Sequence, residues 1–340
     1  MNSLEPSLSR SGNSSTEAYN YGALFRSYFR YIHPLWPVLY QPIYNTMDHA
    51  QLRETLPQAL YYAILSIAVL IDDAENRAGS KQEQALQFFK KALKTLKDPT
   101  SMEDDQSLVD LKPSVTRCQV LTILALQQHS IGNFSQAGII CAIAGAMAID
   151  LSIHRISESD STIEVQIKSR TWWNIYVLEK MLSCEMNRPI LLRAEEADMP
   201  FPSIEEPDEY DFYTSNTPVG ELVGNNKQEL LRLRTISAFH SSVKIAMVME
   251  KTSRQIYGTA AQQRIRTDRQ TGEEIRLQLS AELYDYEQMM ENSHLKLDTS
   301  GKLASVPVYV MGSPCAIYFR LVYHLPKHII PFDHYFRFKR

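Results

Sequence analysis

Apolar residues recur along this chain at steps of three and four, the spacing of one helix face. Tyr21, Leu24, Phe25, Tyr28, Phe29 and Ile32 predict a first helix with an aromatic face, closed by His33-Pro34. A loop rich in apolar residues and proline follows, from Pro34 to Pro42. Leu56 to Ala74 is apolar nearly all round and predicts a central helix. Ser80 and Glu83 have capping-box spacing and open a helix with Ala85, Leu86, Phe89, Ala92, Leu93 and Leu96 as its stripe. Asp98 to Asp110 reads as an acidic linker. Pro113-Ser114 starts the next helix, which Gly132-Asn133 ends. The helix from Ser135 to Ser152 is full of small residues, which let helix axes approach closely.

The longest such pattern organises the rest. Ile163, Ile167, Trp172, Ile175, Tyr176, Leu178, Met181, Leu182 and Met186 predict one helix, stopped by Asn187-Arg188-Pro189. An extended, mixed apolar and acidic segment leads from there to Pro202. Two adjacent tryptophans point about 100° apart on a helix. One is expected against the small-residue helix near Gly145, the other against the Leu56–Ala74 helix. Phe201 to Gly224 reads as an irregular loop, and Leu230 to Ile256 and Glu273 to Met290 as helices. Arg264, Arg266 and Arg269 form a modest basic patch between them. Val306 to Leu325 predicts one more helix. Strand-like alternation is scarce, so the fold class is all-α, a multi-helical domain of about nine to eleven packed helices.

The Trp-rich helix carries a resemblance. Arg170, Trp172, Trp173 and Tyr176, then Glu179-Lys180, then Arg188-Pro189 and the exit through Asp198 and Pro200 are similar to the regulatory, or middle homology, domain of fungal zinc-cluster transcription factors. That family has an acidic-arginine pair where Glu179-Lys180 stands, and glycines where Asn187 and Ser152 stand. Asparagine is the next-best residue for a left-handed turn. The His33-Pro34 opening and the His154-Arg155 ending of the small-residue helix resemble the same family. The resemblance covers residues 20 to 325, within a regulatory domain of 17–325. It leaves 1–16 as a disordered Ser-rich tail and 326–340 as an irregular basic and aromatic tail. The family domain continues through further helices, so the chain is expected to be shortened at its C-terminus.

Composition narrows the function. A net charge of -4 over 340 residues and the lack of a long basic run disfavour direct nucleic-acid binding. Cys118, Cys141, Cys184 and Cys315 include no Cys-x-x-Cys pair. The family's zinc cluster cannot be built from them, and no cofactor is expected; buried thiols of a reducing compartment fit better. No Gly-x-Ser-x-Gly, phosphate-cradling Gly-rich loop or His-Glu-x-x-His occurs, and His33 and His154 sit at helix ends. The enzyme alternative is an all-helical terpene cyclase-like protein holding magnesium and diphosphate through Asp72 and Asp73. Against it, Asn76 stands where the third carboxylate belongs, and no second metal motif follows. Met247, Met249, Met289 and Met290 are candidates to line an effector pocket, with ordinary core as the alternative.

The resemblance therefore implies a non-enzymatic transcription regulator in the nucleus. Its expected partners are coregulators, a separate DNA-binding module or a small-molecule effector, with DNA reached only indirectly and no membrane. A truncated, non-functional fragment is the remaining alternative.

Overall fold

The computed structural model describes residues 21–71, 80–96, 112–210 and 234–291. Ten α-helices and no strand occur among them. The expectations for the two tails, the Asp98–Asp110 linker, Asp72, Asp73, Cys315 and the Val306–Leu325 helix lie outside the described residues.

The first helix, α1 (Tyr21–Ser27), runs on as a π-helical turn over Tyr28–Ile32. Next comes a short helix not read from the pattern, α2 (His49–Thr55). Its signal was present: Asp48 and Gln51 form a capping box, each side chain bonding the other's backbone N–H at 2.9 Å. The central helix α3 covers Gln58–Ile71 and buries Ala63, Ile64, Leu65 and Ala68 completely. Ser80 and Glu83 make the expected capping box at the start of α4 (Lys81–Leu96). On α4 the expected stripe of Ala85, Phe89, Ala92 and Leu96 is buried, with Phe88 added to it and Leu86 40% exposed.

Ser114 caps α5 (Val115–Ser130) by accepting the Arg117 N–H. Gly132 turns the chain in the left-handed region, at φ 84°, into α6 (Phe134–Asp150). Ser161 and Glu164 box the start of α7 (Thr162–Glu185). The C-terminal part comprises α8 (Thr235–Thr252), α9 (Thr259–Thr267) and α10 (Arg269–Glu291). A π-helical turn over Ser253–Tyr257 extends α8. Arg264 and Arg266 lie on α9 and are exposed, a solvated basic face.

Helix α3 packs on α4 and α5, α5 on α6, and α7 chiefly on α5, α6 and α8. One large core joins α1 through α8, and a small second cluster of Ala238, Ile245, Val248, Met249 and Tyr286 joins α8 to α10. Met249 belongs to that cluster, Met289 packs beside it and Met247 packs on the large core, the ordinary-core reading of these methionines. Cys118 and Cys141 are buried on α5 and α6. Burial pushes the Cys118 thiol up to about 12 and the half-buried Cys184 up to about 11.

Two turns need a left-handed residue. Ser152, after α6, has φ 53°, and Asn187, after α7, has φ 50°. These are the two positions where a glycine was expected from the resemblance. Asparagine tolerates this region better than serine does. We expect Ser152→Gly to raise stability by about 0.5–1 kcal/mol. Asn187→Val should lower it by about 1–2 kcal/mol, because a β-branched side chain is strained there. Urea midpoints of the two variants check both signs.

Candidate functional site

Every residue from Ser169 to Ser183 on α7 is buried. The run includes Arg170, Thr171, Asn174, Glu179 and Lys180, polar groups that are rarely fully buried without partners. Their partners come largely from one place. From Leu191 to Glu209 the chain runs as an extended strap with two short 3-10 turns, Ala194–Glu196 and Pro207–Tyr210. It has no neighbouring strand among the described residues, and side chains bond its backbone groups.

The strap begins at Glu179 and Lys180. Glu179 accepts the Leu191 N–H at 2.9 Å and the Ser183 hydroxyl at 2.8 Å. Lys180 donates to the Leu192 carbonyl at 2.6 Å, to Glu179, and lies 4.2 Å over the Tyr176 ring. Leu192 then fills the space beside Gly145; a Cβ on that glycine would stand 3.2 Å from Leu192 Cδ2. Gly145 thus meets the strap.

Further on, Glu250 of α8 accepts the Ala194 N–H at 3.0 Å and the Tyr176 hydroxyl at 2.7 Å. The His154 carbonyl accepts the N–H groups of Asp198 and Met199. Asp198 accepts the Ile156 N–H at 2.8 Å, and that bond, with Arg155 nearby, holds its carboxyl below the usual range. The Pro200 carbonyl accepts from Trp173 Nε1 at 3.0 Å and from Ser169 Oγ at 2.5 Å. The Trp173 ring packs edge-on against Phe201 at 4.9 Å. Trp172 faces His154 at 5.3 Å, just past the end of α6. Both tryptophans lie in the same core cluster as the buried residues of α3. Aromatic and N–H groups are matched by the strap, which supplies both a ring and a carbonyl.

The strap ends at a buried ion cluster. Asp208 accepts Arg170 Nη1 at 2.6 Å and Nη2 at 2.9 Å, a bidentate pair with both side chains fully buried. His33 Nε2 lies 3.1 Å from the same carboxylate. Arg170 also reaches the Leu39 carbonyl at 3.4 Å and stands over the Tyr40 ring at 5.3 Å. Next to it, Tyr40 donates to Glu206 at 2.6 Å. Glu209 accepts the Ile236 and Ser237 N–H groups at the start of α8, where a carboxylate suits the helix dipole. One cluster thus ties the His33-Pro34 loop, α7 and α8 together. Burial pushes the Asp208 carboxyl up, but bonds from His33 and Arg170 outweigh it and hold it down to about 2.

Arg188 and Pro189 stand outside this interior and are exposed; Arg188 reaches Ser135 of α6 at 3.2 Å. Sequence reasoning named Arg170, Glu179 and Asp198 but missed Asp208, Glu209 and Glu250. The first two sit in an acidic, proline-rich stretch that reads as solvated loop.

Asp208→Asn leaves the Arg170 charge buried without its counter-ion and should cost about 3–5 kcal/mol. The sign of the pH effect follows from the lowered carboxyl. Its stabilisation is complete above the ordinary value of 3.8 and is lost as pH falls toward about 2. Urea midpoints measured stepwise through that window should fall more steeply for the parent than for Asp208→Asn.

The fungal specific transcription factor domain matches residues 25–300. A transcriptional regulatory protein of Schizosaccharomyces pombe is 26% identical over 216 residues, 61% of this chain and 33% of that protein. A second from the same organism is 24% identical over 156 residues, 45% of this chain and 17% of its own length. The chain thus spans a third or less of the length of these curated relatives. No solved structure matches. The described cysteines sit on three separate helices, α5, α6 and α7, and do not fit the family's zinc cluster. With its profile matched over most of its length, this all-helical chain belongs to the fungal-specific transcription factor domain family.

Proposed function

We propose that this chain is the regulatory domain of a transcription regulator of the zinc-cluster type. In this reading it acts in the nucleus through contacts with a coregulator, a DNA-binding module or a small metabolite. It does not read DNA itself. The family match over residues 25–300 is the observation that carries the proposal. Two further facts support it. The carboxylates of Asp208, Glu179 and Glu250 are each bonded by side chains or backbone of the same fold, as structural ion pairs are. No described helix is long and apolar enough to cross a membrane.

Two measurements test the reading. Fused to an unrelated DNA-binding module at a reporter promoter, the chain should change transcription severalfold, and Asp208→Asn should abolish that change. The unfused chain should show no sequence-selective mobility shift at physiological salt, where specific binders hold DNA with Kd of about 10 nM or tighter. An inert fusion, or a selective nanomolar shift by the chain alone, would overturn the proposal.

A further inference from the structure

Helix α6 carries no charged residue from Phe134 to Ile149. Its inner face is buried against α5 and α7. Its outer face is apolar and open: Ile139 is 56% exposed, Ile149 is 48% exposed, and Ala142 and Ala146 lie between them. Exposed isoleucines aligned on one helix mark an interaction surface more often than chance scatter does.

The order of these residues is informative. Ile139, Ala142, Ala146 and Ile149 are spaced three, four and three, the step of a helix–helix seam. The pattern is also a palindrome about position 144. Turned end for end, it places isoleucine opposite isoleucine and alanine opposite alanine. A two-fold interface requires this of a helix crossing its own axis, because residue i must meet j while j meets i. A partner of unrelated sequence requires no such symmetry. Small residues at the centre let the two axes approach closely, and the isoleucines fill the space on either side.

Charge selects the direction. Asp150 ends α6 and is exposed. At the other end, Arg188 stands beside Gly138, its Nη1 3.4 Å from where a Cβ on that glycine would lie. In an antiparallel pair centred on position 144, Asp150 comes level with Gly138 of the other copy, and so with Arg188. In a parallel pair each charge would come level with its own kind. Opposite charges within about 10 Å still attract at ordinary ionic strength.

We propose that the outer face of α6 is a self-complementary docking surface for a second copy of this chain, packed antiparallel about Ala142 and Ala146. The proposal is independent of the transcriptional reading above.

Sedimentation velocity of the full chain over a wide concentration range tests it. The parent should show a reversible monomer–dimer equilibrium. Ala146→Glu sets two like charges together at the centre and should raise the dimer Kd by about thirtyfold or more. Its melting temperature at high dilution should equal the parent's. Asp150→Arg and Arg188→Asp should each weaken the dimer, and the double variant should restore it. A parent that stays monomeric at every concentration overturns the proposal. So does a dimer indifferent to Ala146→Glu, or a charge swap without rescue. A monomer whose melting temperature drops with Ala146→Glu also overturns it, because this chain's own segment would then cover the face.

Discussion

The bidentate pair between Arg170 and Asp208 is the constraint from which the rest of the interior follows. Taking either charge out of water costs several kcal/mol, and their attraction offsets that cost only with good geometry and further hydrogen bonds. The fold supplies both, with two short N–H bonds to one carboxylate, His33 beside the same carboxylate and the Leu39 carbonyl beside the guanidinium. Such a cluster forms only if the His33-Pro34 loop, the middle of α7 and the end of the strap arrive together. Apolar packing tolerates sliding by fractions of an ångström; a buried bidentate pair does so far less. The cluster therefore fixes register among segments that lie far apart in the chain.

The strap explains why α7 is polar in its interior. An extended segment without a neighbouring strand leaves its N–H and C=O groups to be satisfied by side chains. Helix α7 and its surroundings supply them in order along the strap: Glu179 and Lys180 at 191–192, Trp173 and Ser169 at Pro200, and Arg170 at Asp208. The polar residues of this helix are thus a row of bonding groups matched to the strap. A few apolar anchors complete it, with Leu192 seated against Gly145 and Phe201 against the Trp173 ring. Because the same strap reaches α8 through Glu209 and Glu250, it couples the two halves of the described fold.

Much of this was legible in the residues. Helical spacing placed the long helices α3 to α8 to within a few residues, and Asn187 occupies the left-handed turn expected of it. The capping box at Ser80 was visible, and the equally plain one at Asp48 was passed over. The misses share a physical cause. Periodicity reports which side chains avoid water, and the acidic residues of the strap are polar yet buried. Asp208 lies in a stretch of proline, glutamate and aspartate that composition assigns to solvent, and its distant partners Arg170 and His33 meet it in the interior. The strap, with no pattern of its own, also provides the ring and the carbonyl that Trp173 meets.

The central claim is that Arg170 and Asp208 act as one unit that joins loop, helix and strap. A double-mutant cycle with Arg170→Met and Asp208→Leu measures this directly, by urea unfolding at neutral pH. Each single change strands a buried charge, and the double change strands none. The account predicts that the double variant is more stable than either single one, with a coupling energy of about 2 kcal/mol or more. Additive losses would contradict it, showing that the two residues contribute independently and that register is set elsewhere.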